Sequence, residues 1–91
     1  MKVRVFATLR ALAGGKDIDV EVGGRETVRD VMKKLTATYP ALGERILDDD
    51  GKVQNSMHVL VNGRSIRFLD GLDTVIREGD RLALFPAIGG G

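Results

Sequence analysis

Few groups in this chain are placed to do chemistry, and the most unusual set stands at its end. Leu82-Ala83-Leu84-Phe85-Pro86-Ala87-Ile88-Gly89-Gly90-Gly91 has no charged side chain, which leaves the terminal carboxylate as its only charge. A glycine run has no Cβ, so it can enter a narrow channel and bring that carboxylate against a reactive phosphorus or carbonyl carbon. By composition alone the default reading is a frayed terminus.

The other candidates fail on spacing. Gly14-Gly15-Lys16 resembles a phosphate loop, but such a loop needs Gly where Arg10 stands and Ser or Thr where Asp17 stands. Asp48-Asp49-Asp50-Gly51 has the composition of a calcium loop, but calcium ligands alternate along the chain and end in a distant Glu. No metal site is expected. His58 is the single histidine and has no cysteine or second histidine to join it. With no nucleophile and orienting partner around it, no catalytic constellation forms, so the chain is not expected to be an enzyme by itself. Cysteine is absent, which removes disulfides, thiolate nucleophiles and Cys-type zinc sites together.

The elements that must position the tail follow from periodicity. Lys2–Arg10 alternates, with Val3, Val5, Ala7 and Leu9 on one face. Asp17–Val22 alternates again through Ile18, Val20 and Val22. Joined at Gly14-Gly15, the two predict a β-hairpin with one buried face. Thr27 is the expected N-cap of a helix, with Asp30 completing a variant capping box. Val28, Val31, Met32, Leu35 and Tyr39 form its apolar stripe, and Pro40 stops it. In the irregular 41–56 segment, Leu42, Ile46 and Leu47 can form a short turn over the core. Met57–Val61 is a strand, Asn62-Gly63 a hairpin turn, Arg64–Phe68 the return strand and Arg81–Phe85 the last strand.

The order β-β-α-β-β-β, with one main helix on a mixed sheet, predicts an α+β roll. Its first and last strands are expected side by side and parallel. Ninety-one residues allow one domain, assigned to residues 1–86, with a flexible glycine-rich tail at 87–91. A formal charge of +1 argues against a nucleic-acid partner, and 4% aromatic content against single-strand stacking platforms. No apolar run reaches membrane-span length, and the N-terminus has no signal-peptide character, so a cytoplasmic protein without a membrane partner is expected.

Several segments carry a family resemblance. Phe85-Pro86-Ala87-Ile88-Gly89-Gly90-Gly91, Val59-Leu60-Val61-Asn62-Gly63, Gly71-Leu72-Asp73-Thr74 and Glu78-Gly79-Asp80 occur in order across the chain. Together with the element order they resemble the ubiquitin-like β-grasp sulfur carriers of the MoaD/ThiS type. The resemblance reverses the default reading of the tail. It implies a carboxylate on Gly91 that an E1-like enzyme adenylates with ATP and that sulfur then converts to a thiocarboxylate, with Gly89 and Gly90 keeping the approach slim. It implies no bound cofactor, a sulfurtransferase among the possible partners, and sulfur delivery to molybdopterin through the large subunit of the synthase.

Two departures leave the branch open. Ala87 stands where many molybdopterin-type tails have a second proline, and Gly89 where many have alanine. The chain also resembles carriers for cysteine biosynthesis and archaeal small modifiers attached to lysines; tRNA thiolation is a further destination. From the alternation, Phe6 and Leu60 are expected on the open face of the sheet. The resemblance adds Phe85, with Pro86, as partner-contacting residues. Two explanations for this apolar patch stand together: a partner surface, or packing beneath 41–56. Arg4 and Arg81 lie near enough to steer an acidic rim.

Overall fold

The computed structural model describes residues 1–86. Strands β1 (Lys2–Val5), β2 (Asp17–Asp19), β3 (Met57–Val61), β4 (Arg64–Ser65) and β5 (Arg81–Pro86) form one mixed sheet in the order β2-β1-β5-β3-β4. The first and last strands are parallel neighbours at its centre, with Val3 opposite Leu82 and Val5 opposite Leu84. Helices α1 (Leu9–Ala13), α2 (Val28–Thr38) and α3 (Pro40–Ile46) accompany it. Val28, Val31, Met32 and Leu35 of α2 share one buried cluster with Val3, Val5, Val59, Leu82 and Leu84. This is the ubiquitin-like β-grasp arrangement, an α+β roll.

The main helix forms as its sequence predicts. Thr27 Oγ1 accepts from the Asp30 N–H at 3.3 Å, and Asp30 Oδ2 accepts from the Thr27 N–H at 2.9 Å. These reciprocal bonds satisfy donors that a helix start leaves unpaired. The N–H and hydroxyl of Thr27 hold the Asp30 carboxyl below its ordinary value. Pro40 ends α2 and occupies the first turn of α3, where its missing N–H costs nothing. Within 41–56 the chain therefore forms a two-turn helix rather than a single turn, and it buries Leu42 and Ile46. α2 and α3 approach so closely that a Cβ on Gly43 would overlap the Thr36 side chain.

Three strands are shorter than their alternation predicts. The first leaves the sheet after Val5, because Ala7 takes a positive φ of 54° and Leu9–Ala13 coils into a helix. Leu9 and Ala13 reach the core through i, i+4 spacing, whereas the strand reading placed Leu9 on an extended face with Val3, Val5 and Ala7. Gly14, at φ 73°, caps that helix in the left-handed region. The second strand ends at Asp19 in the ladder. Val20 still exchanges bonds with Met1, but the Glu21 carbonyl turns to Lys34 Nζ at 2.6 Å. The fourth stops at Ser65, whose Oγ accepts from the Arg67 N–H and starts a 3₁₀ turn over Ile66–Phe68. Ile66 is thereby buried and Phe68 is left 84% exposed. No helix among the described residues is long and apolar enough to cross a membrane.

Candidate functional site

The site is built on the sheet face away from α2. Along β1, β3 and β5 the core takes Val3 and Val5, then Met57, Val59 and Val61, then Leu82 and Leu84. Alternation sends the intervening residues to the other side. Long-range register brings them together: the Phe6 N–H donates to Leu84 O at 3.0 Å, Leu60 stands opposite Ala83, and His58 stands opposite Phe85. Met57 pairs with Pro86 at the strand end.

The result is an apolar groove of about 480 Å³ lined by Phe6, Ala7, Leu60, Ala83, Phe85 and Pro86. The Phe6 and Phe85 rings meet edge to face, with centroids 6.0 Å apart and an interplanar angle of 85°. This orientation sets the positive ring edge against the negative face. His58 lies against the other side of Phe85 with centroids at 5.1 Å. The Arg10 guanidinium sits 5.8 Å above the Phe6 ring, and its Nε donates to Val5 O at 3.0 Å. The groove floor is thus held by ring contacts and a cation over an aromatic face.

All four sequence-predicted contact residues, Phe6, Leu60, Phe85 and Pro86, lie in this one groove. They do not pack beneath 41–56. Leu42 and Ile46 of that segment belong to the buried cluster, whereas none of the four contact residues joins that cluster or packs against it. Sequence reasoning missed two lining residues, Ala7 and Ala83, too small to stand out, and the contact of His58 with Phe85. The parity of His58 and Phe85 is visible in the sequence, but their pairing depends on the β3–β5 register. The predicted reactive positions Gly89, Gly90 and Gly91, like the whole 87–91 tail, lie outside the described residues. Among the described residues no group of three or more His, Cys, Asp or Glu side chains could hold a metal ion.

Relatives of known description align with this chain along nearly their whole length. Small archaeal modifier protein 3 of Haloferax volcanii is 40% identical, with 100% of this chain and 98% of the relative aligned. The sulfur carrier protein CysO of Mycobacterium tuberculosis is 34% identical over 98% of this chain and 96% of its own. The crystal structure of SAMP1 from Haloferax volcanii superposes with a TM-score of 0.85 at 37% identity, covering 99% of this chain and 97% of the other. Residues 3–91 match the ThiS family model. With its β-grasp sheet and full-length relatives among small modifiers and sulfur carriers, this chain belongs to the ThiS family.

Proposed function

We propose that this chain is a ubiquitin-like modifier and carrier activated at Gly91, and that it is not itself an enzyme. In the first step the Gly91 carboxylate attacks the α-phosphorus of ATP on an E1-like enzyme, and pyrophosphate leaves. A carboxylate is a poor electrophile, whereas the resulting acyl-adenylate has AMP as a good leaving group. A lysine amine then attacks the carbonyl, AMP departs, and an isopeptide bond forms with loss of a proton. Full-length identity of 40% to a small archaeal modifier carries this reading. The apolar groove beside the tail-leading Phe85 supports it as the surface that docks the activating enzyme.

The 34% identity to CysO favours a second reading. There a hydrosulfide-level nucleophile displaces AMP and leaves a thiocarboxylate on Gly91, for cysteine biosynthesis or tRNA thiolation. The chain has no cysteine, so carried sulfur resides on that carboxyl. Delivery to the large subunit of a molybdopterin synthase is a further destination of the same thiocarboxylate, and neither relative named above points to it.

Mass spectrometry of tryptic peptides from the native host separates these outcomes. Cleavage after Arg81 releases Leu82–Gly91, which contains none of the three methionines, so an oxygen-to-sulfur exchange is not confused with methionine oxidation. The modifier reading expects this peptide branched onto lysines of other proteins. An alkylatable thioacid without branching would move the assignment to a dedicated sulfur carrier. Only the free carboxylate, with the activating enzyme present, would overturn both.

A further inference from the structure

The open sheet face has a second half. Beyond Ala83, which both hollows share, a broader one of about 980 Å³ is lined by Lys2, Arg4, Arg81, Asn62 and Asp80 among others. Lys2 and Arg81 are register partners on adjacent parallel strands, and both are exposed. Like charges placed directly opposite each other in a sheet oppose folding. Among the described residues neither cation forms an ion pair.

The nearby carboxylates relieve this opposition only in part. Asp17 takes Arg4 at 3.2 Å. Asp19 is the register partner of Lys2 on β2, but no ion pair joins them. Asp80 has both oxygens engaged: Oδ1 accepts from Asn62 Nδ2 at 2.9 Å and Oδ2 from the Arg77 N–H at 2.8 Å. Those two donors hold its carboxyl below the ordinary value. Among the described residues the hollow therefore sets two cations without an ion pair, Lys2 and Arg81, beside the paired Arg4 and one committed carboxylate, in a chain whose net charge is only +1.

We propose that this basic half receives an acidic segment of the protein partner that fills the apolar groove. The proposal rests on the reading above that a partner engages the open face. An incoming carboxylate between Lys2 and Arg81 turns an unfavourable pair into a bridged one. Continuity at Ala83 lets one extended segment place an apolar side chain by Phe85 and acidic side chains by Arg81. Exposed complementary charge of this kind acts mainly on the rate of encounter and on the choice of partner.

The test is an NMR titration of the full ¹⁵N-labelled chain with a synthetic peptide bearing one phenylalanine followed by a run of glutamates. Shifts are expected at Lys2, Arg4, Ala83 and Arg81, fading between about 0.05 and about 0.5 M salt as screening shortens. The same peptide with glutamines should leave Lys2, Arg4 and Arg81 unmoved. Arg81→Glu should weaken the acidic peptide about fivefold or more, and its Tm should equal or exceed the wild type, because Lys2 then faces an opposite charge. Shifts confined to the apolar groove, shifts centred on Lys33 and Lys34 of α2, or no shifts would overturn the proposal. So would a fall of several degrees in the Tm of Arg81→Glu. Neither activation of Gly91 nor an activating enzyme enters this experiment, so its failure is distinct from failure of the carrier reading.

Discussion

The two faces of β1, β3 and β5 are made from alternate residues of the same strands, yet they answer to different demands. On the helix side Val3, Val5, Leu82 and Leu84 are fully or almost fully buried against α2. On the other side Phe6, Leu60 and Phe85 are only half-buried, and they line a groove instead of a core. Backbone, register and strand propensity are shared, so the difference lies in what covers each face. The helix side is completed within the chain. The open side keeps aromatic surface and opposed cations that folding alone does not require, and that surplus is what the proposed partner would cover.

The largest expected effect breaks the completed face. Leu84→Ala should cost about 2–5 kcal/mol in chemical denaturation, because it leaves a void at a fully buried position. Its neighbour on the other side should behave oppositely. Phe85→Arg should cost only about 1 kcal/mol, the worth of the Phe6 edge contact, while weakening binding to the activating enzyme about tenfold or more. A stability loss as large as that of Leu84→Ala would erase the distinction between the faces.

Smaller effects sharpen it at the helix. Thr27→Ala removes one half of the capping box and should cost about 1 kcal/mol, with partner binding unchanged. The Asp30 half responds to pH. Its carboxyl is held below the ordinary 3.8 in the fold, so its stabilisation is complete above that value. The contribution disappears as pH falls through the folded value. The stability gap between wild type and Asp30→Asn should therefore be open at neutral pH and close in acid, as followed by thermal melts across that range.

Local features were legible where their chemistry is local. Asn62 and Gly63, at φ 51° and 85°, form the two-residue turn that their types predict. Thr27 and Asp30 cap α2, and Met57–Val61 spans the strand read from its alternation. Legibility failed where two periods fit the same residues. Val5, Ala7 and Leu9 satisfy a strand, but Leu9 and Ala13 satisfy a helix as well, and the demands of the core selected the second. Ile66–Phe68 likewise matched a strand, but the Ser65 hydroxyl accepts from the Arg67 N–H and starts a 3₁₀ turn there. The groove residues were nameable by parity, yet their company was not. Nothing local says that His58 lies against Phe85.

Read alone, the sequence already specifies the Asn62-Gly63 turn, the α2 cap, which residues alternate together, the absence of any thiol, and the uncharged glycine run ending at Gly91. These depend on backbone conformational limits and on side-chain chemistry within a few positions. That β1 and β5 lie side by side and parallel is expected from the strand order, but the register that sets Phe6 beside Phe85 and Lys2 opposite Arg81 comes only with the packed fold. That register follows from burying Val3, Val5, Leu82 and Leu84 under α2, because a slip of one residue would turn each strand's core face outward. The open face, with its groove and its opposed cations, is a consequence of packing the other side.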